Sequence, residues 1–222
     1  DKILDIVTIS HTGTVSAIDG ASLNLLWQRT FVGVESSNGC AVGQFTGDRT
    51  PDIVAVLDKG IWPNYSHAIQ VVFDGANGDI IYRDSIGCFV VSSPVIYNLD
   101  NKGPDEIIVS INDYDCDIRI TEDTLSPPSM ENKLVAINVI TNTTQIIDQT
   151  PGFKNVFSTP WIGDLDNDKY LDIIYCQYYN PNNFQRFLGM SVKRVSTPVR
   201  IRKPVSWGEY LGSAQNGIFL EN

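Results

Sequence analysis

The chain is poor in the groups on which catalytic sites are most often built. Its 222 residues include two histidines, His11 and His67, and neither has a cysteine or histidine at metal-ligand spacing, so a zinc site is not expected. The four cysteines contain no Cys-x-x-Cys pair, and the chain has neither a Gly-x-Ser-x-Gly elbow nor a glycine-rich phosphate loop. Basic residues number 16 against 26 acidic ones, a net charge of −10. That balance argues against nucleic acid, whose binding draws on cationic side chains, and against anionic membranes. The longest apolar runs, such as Cys88–Val91, fall far short of a membrane span, so no membrane insertion is expected. No charged segment leading into an apolar one marks a signal peptide, and a chain beginning at Asp1 reads as a processed product or a fragment. No long 3.6-residue apolar period is present, so helices are not expected.

What is present is a repeat. Ser158-Thr-Pro-Trp161-Ile-Gly-Asp164-Leu-Asp166-Asn-Asp168-Lys-Tyr170-Leu-Asp172 aligns with Ser92-Ser-Pro-Val95-Ile-Tyr-Asn98-Leu-Asp100-Asn-Lys102-Gly-Pro-Asp-Glu106. Both align with Asn38-Gly-Cys-Ala41-Val-Gly-Gln44-Phe-Thr46-Gly-Asp48-Arg-Thr-Pro-Asp52, and Asp1 to Thr8 opens inside a fourth copy. The closing acids are Asp5, Asp52, Glu106 and Asp172, spaced by 47, 54 and 66 residues. Each unit continues with β-branched runs separated by turns rich in Asp, Gly and Asn, such as Asp19-Gly20 and Asp74-Gly75. Four short strands in about 50 residues is the size of a β-propeller blade. The expectation is therefore all-β: about four blades of four antiparallel strands, at roughly residues 1–35, 36–88, 89–156 and 157–222. The first blade lacks its opening strand, and the whole reads either as part of a larger propeller or as one completed by the C-terminal segment. Met190–Val195 and Val199–Arg202 each alternate and read as the last unit's outer strands, their basic residues either solvated or turned to an acidic neighbouring blade.

Asp164, Asp166, Asp168 and Asp172, with the carbonyl of Tyr170, place oxygens at alternate loop positions. Calcium takes six to eight hard oxygens at about 2.3–2.6 Å, and a curled loop can supply them this way. An acidic solvated turn is the plainer reading, but the repeated context between β-branched runs favours calcium. Asn98, Asp100 and Glu106 form a weaker copy, because Lys102 brings an ammonium into the loop. Gln44 and Thr46 leave the earlier loop without a ligand set.

Those residues resemble the FG-GAP/VCBS-type repeat of integrin-α-like β-propellers. The strands around Val15–Gly20 and Trp27 are similar to the quinoprotein-like (PQQ-type) propeller pattern, although no residues for that quinone are recognisable. Trp207 to Phe219 resembles a stretch that closes or joins such units. The resemblance implies Ca²⁺ on the loops above, an extracellular, cell-surface or periplasmic setting, and a binding or adhesion role rather than an enzymatic one.

In an up-and-down blade the loops between strands 2 and 3 lie at the end opposite the acidic loops. They vary in length and carry Trp62, Tyr65, Tyr114, Tyr178, Tyr179 and Phe184, which suit a carbohydrate or protein ligand. The same rings could instead cover strand ends. Alternative functions are a polysaccharide-active enzyme or its accessory domain, and a scaffold bound to other domains of a longer chain. Cys40 and Cys176 lie in or near core strands, where a free thiol is ordinary. A disulfide such as Cys40–Cys88 suits an oxidising compartment, but the sequence does not choose the pairing.

Overall fold

The computed structural model describes residues 3–117, 130–179 and 187–219. Among them the regular structure is entirely β: β1 (Ile6–Ile9), β2 (Thr14–Ile18), β3 (Leu25–Thr30), β4 (Val34–Glu35), β5 (Ala41–Gly43), β6 (Asp52–Ile61), β7 (Asn64–Phe73), β8 (Ile80–Ser85), β9 (Val95–Tyr97), β10 (Glu106–Asp113), β11 (Glu131–Asn138), β12 (Thr143–Pro151), β13 (Phe153–Lys154), β14 (Trp161–Gly163), β15 (Tyr170–Tyr179) and β16 (Gly189–Arg200). They form four antiparallel sheets of three to five strands. The first is β1-β2-β3, and the third is β9-β10-β11-β12. In the second, β6 pairs with β4, β5 and β7, and β7 pairs with β8. In the fourth, β15 pairs with β13, β14 and β16. Among the described residues no sheet closes on itself.

The β-branched runs explain the stacking. Side chains alternate across a strand, so an unbroken apolar run serves two faces at once. On β6, Ile53, Ala55 and Leu57 pack with Val15, Ala17 and Trp27 of the first sheet. Val54 and Val56 point the other way, to Ile107, Val109, Val135 and Ile137 of the third. Ile108 and Leu134 continue to Ile162, Leu171 and Ile173 of the fourth. Trp27 locks the first junction, its ring stacked on Phe73 and its indole N–H donating to the Gly75 carbonyl at 2.8 Å.

Three details differ from the sequence expectation. Residues 189–200 form one strand rather than two, because their alternation is uninterrupted and Pro198 is tolerated on an edge. The segment between Asp58 and His67 is no long loop. β6 and β7 run on to a two-residue turn at Trp62-Pro63, with a bulge where Gly60 takes a positive φ of 125°. Among the described residues the C-terminal segment does not supply the first sheet's missing strand. The Ile96 and Ile162 N–H groups instead donate to the Trp207 and Gly208 carbonyls, at 2.9 and 2.8 Å. It thus runs along the inner strands β9 and β14, and Trp207 is buried in the core shared by the second and third sheets.

The disulfide joins Cys88 to Cys116, with Cα atoms 5.4 Å apart, and so ties the loop after β10 to the linker entering the third sheet. Cys40 and Cys176 are free. Burial pushes the Cys40 thiol up to about 12, which makes it inert at neutral pH.

Candidate functional site

The two ends of the sheets are built differently. At the acidic-loop end, each closing acid brackets its own unit. Asp52 accepts from the N–H groups of Phe45 (2.7 Å) and Thr46 (2.8 Å), from the Thr46 hydroxyl, and from the Gly75 N–H at 3.3 Å. Asp5 accepts from the Gly20 N–H at 3.0 Å. Glu106 accepts from the Leu99 N–H at 2.7 Å and the Asn138 amide at 2.8 Å. One carboxyl therefore binds its acidic loop, the turn between strands 3 and 4, or both. The turn approaches so closely that a Cβ on Gly20 or Gly75 would lie 1.8 Å from the Leu4 carbonyl oxygen or 1.9 Å from that of Pro51. Glycine is required at both positions. Burial raises the carboxyls of Asp52 and Glu106 above the usual range.

The fourth unit differs. Carboxylate oxygens of Asp164, Asp166 and Asp172 lie within 4.8 Å of one another, as a cation site requires. Asp168 is turned to its own loop and accepts from the Tyr170 N–H at 2.8 Å, while Asp164 accepts from the N–H groups of Asp168 and Lys169. A cationic side chain already reaches the cluster. Arg194, on β16, donates to both oxygens of Asp172 at 2.9 Å and to Asp166 at 2.5 Å. Those bonds hold the Asp172 carboxyl below the usual range. The donor set fits a hard cation in kind and convergence, and the guanidinium competes with it for charge.

In the second loop the Asn98 amide nitrogen donates to the carbonyls of Gly103 (2.7 Å) and Pro104 (3.0 Å). The Asn98 carbonyl oxygen is buried without a partner. The loop is further tied to its neighbours: Gln44 and Asp105 exchange two bonds of 3.0 Å, and Lys203 donates to Asp105 at 2.9 Å. The cluster of Cys88, Asp113 and Cys116 offers no thiolates to a metal, because its cysteines are bonded to each other.

The opposite end carries the turns at 10–13 and 62–63 and the described residues 114–117 and 187–188, which adjoin β10 and β16. Phe184 lies outside the described residues. The other candidate rings fall into separate groups. Trp62, Tyr65 and Tyr114 gather around Phe89, with centroids of Trp62 and Tyr114 about 6 Å from it. Tyr65 is buried there, its hydroxyl donating to Glu35 at 2.6 Å. Tyr178 packs on Phe187 and Tyr179 on Phe153, at 4.8 and 5.2 Å. Trp62 and Tyr179 keep more than two-fifths of their surface exposed. Most of these rings thus cover strand ends, and these two present a face to solvent.

The structure shows where the basic residues of the terminal stretch reach, and it brings forward Lys154 and Asp58, which carry no signal in the sequence. Lys193 reaches Asp148 of the third sheet, and Lys203 reaches Asp105, so basic residues of the terminal stretch do meet an acidic neighbour. Lys154 is buried, which lowers its amine to about 8, and lies over the Phe187 ring. Asp58 is fully buried on β6, accepts from the Val90 N–H at 2.8 Å, and is pushed up to about 8, first by burial and then by the charge of Glu35. At the equivalent place on β10, Asn112 brackets Asn155 with two bonds, of 2.7 and 2.9 Å. A protonated Asp58 resembles that amide in carrying both a donor and an acceptor. His67 bonds the neighbouring Ser66 hydroxyl at 3.0 Å, but among the described residues no carboxylate orients the ring as a catalytic pair requires.

Set against models of protein families and against curated protein sequences, the chain matches none.

Proposed function

We propose that the chain is a non-enzymatic, extracellular binding module, a propeller-like stack of four sheets that recognises a carbohydrate or protein ligand with one end. The observation that carries this reading is the contrast between the ends. The acidic loops 44–51, 98–105 and 164–169 are short and held by internal hydrogen bonds. At the far end the connections differ in length, two residues between β6 and β7 against a much longer stretch of sequence between β10 and β11, and Trp62 and Tyr179 stand exposed beside them. Rigid scaffolds carry recognition on such variable loops. The Cys88–Cys116 disulfide supports an oxidising setting, since such bonds are rare where thiols are kept reduced.

Calcium belongs to the same proposal. Asp164, Asp166 and Asp172, with the Tyr170 carbonyl, would hold it, and the ion would neutralise charge that Arg194 now balances. Bound to the native loop and not to the unfolded chain, it would add stability. Thermal unfolding in calcium and in chelator tests this: the midpoint rises in calcium for the native chain, and identical midpoints would remove calcium from the proposal.

A further inference from the structure

A cavity bordering the sheets lies elsewhere than the rings considered so far. It measures about 530 Å³ and opens where the linkers before β5, β9 and β14 meet the C-terminal segment. That places it at the variable-loop end, because those linkers run beside the C-terminal ends of β6, β10 and β15: the Ser158 hydroxyl accepts from the Cys176 N–H, and the Ser92 hydroxyl donates to the Ser110 carbonyl.

Its walls combine two chemistries. Trp161, Tyr210 and Phe157 supply rings, with Phe157 and Tyr210 at 66% and 54% exposure. Trp161 is where the fourth repeat departs from the others, which place the small, buried Ala41 and Val95 there. Gly163 makes the indole possible, since a Cβ would sit 2.6 Å from its ring. Phe157 holds a φ of 59°, a conformation that a bulky residue rarely adopts and that recurs at binding sites.

The second chemistry is a set of fixed hydroxyls. The Ser93 oxygen accepts from the Gly39 N–H at 2.9 Å, and the Thr159 oxygen from the Ser93 N–H at 3.2 Å. Each oxygen thereby has one of its two lone pairs engaged, and among the described residues each O–H hydrogen is left to donate to a ligand. Asn38 and Glu209 add polar groups, and among the described residues no lysine, arginine or histidine lines the cavity.

We infer that this cavity is a subsite for a neutral saccharide. The inference rests on the binding-module reading above and names its ligand class. Rings that stack on the apolar face of a sugar, beside hydroxyls and one carboxylate that bond its edge, match a pyranose. The absence of a cation from the lining disfavours uronic acids, sulfated sugars and phosphates. A quaternary ammonium would use the rings but leave the hydroxyls unpaired. The volume suits a sugar residue better than so small a head group.

The test is the full chain on an array of neutral glucans, mannans, galactans and xylans, followed by fluorescence titration of the best binder. Trp161→Ala and Tyr210→Ala should each weaken binding at least about tenfold. Trp161→Phe should retain part of the affinity and lose most of the fluorescence change. Lys102→Ala, at the opposite end, should bind as the native chain does, and circular dichroism should show all four folded. If the native chain binds a neutral glycan equally well after both ring substitutions, and loses it with Trp62→Ala or Tyr179→Ala, the cavity is overturned and the module reading stands on its outer loops. Binding to no neutral glycan, or displacement by choline, overturns the saccharide assignment.

Discussion

Removing the Asp52 carboxylate should unfold the second unit's acidic end whether or not calcium is present. In the native state Asp52 has no exposed surface and accepts from Phe45, Thr46 and Gly75. Asp52→Ala leaves the backbone N–H groups of Phe45 and Thr46 without an acceptor. A buried orphaned donor costs about 1–3 kcal/mol, so the total should be about 3–5 kcal/mol, after allowing for the burial cost that the carboxylate itself bears. Asp52→Asn keeps one oxygen for the loop and turns an amide nitrogen toward Gly75, costing about 1–2 kcal/mol. With a urea slope of about 2–3 kcal/mol/M for a chain of this size, the alanine variant's midpoint should fall by about 1.5 M. Urea unfolding followed by tryptophan fluorescence, in chelator and again in calcium, reads both variants. Because Gln44 and Thr46 stand where a calcium loop needs carboxylates, the two buffers should give the same loss. A loss under about 1 kcal/mol, or one confined to calcium buffer, would refute the bracket role and argue for a ligand role.

Arg194→Gln should lower the melting midpoint in chelator and enlarge the rise produced by calcium, since it frees Asp166 and Asp172; a calcium response unchanged from the native chain would separate the two sites. Asp58 titrates near 8 in the fold, above its unfolded value, so the native state holds the extra proton between about pH 4 and 8 and stability falls as pH rises through that range. Asp58→Asn should remove that slope and stabilise the chain by about 3–5 kcal/mol at pH 9 while changing little at pH 4, as urea midpoints across pH would show. Cutting the disulfide by Cys88→Ser, with a separation of 28 residues, should cost about 3–4 kcal/mol by loop entropy, measured against the native chain without reductant.

Much of the fold was legible because it is written locally. The β-branched runs became the two-faced strands β6 and β10, and the Asp-Gly turns mark where Gly20 and Gly75 approach the start of the second strand of their own unit. The repeated closing acid was legible as a position, although its role as a bracket was not. That role depends on the turn some twenty residues later, which only the folded unit brings near. Arg194 could be read as an edge-strand charge, but its reach to Asp166 and Asp172 follows from the pairing of β15 with β16, a non-local register. The stretch 58–67 misled because Gly60 and Pro63 punctuate a loop as readily as a bulged hairpin. The packing of Trp62 and Tyr114 depends on Phe89, which sits in a linker rather than a loop and carried no signal. Trp161 carried a signal, as the large residue where the repeat has Ala41 and Val95, and Tyr210 carried none.

The claim that recognition belongs to one end can be tested with two sets of substitutions in the same chain. Trp62→Ala and Tyr179→Ala alter the variable-loop end, and Asp48→Ala and Lys102→Ala alter exposed positions of the acidic-loop end. Each variant, with the native chain, is titrated by surface plasmon resonance against immobilised neutral glycans and extracellular-matrix proteins. The account predicts saturable binding to at least one of them without turnover, weakened by the first pair and unchanged by the second. Binding lost with the second pair and kept with the first, or a ligand that is cleaved, would contradict it.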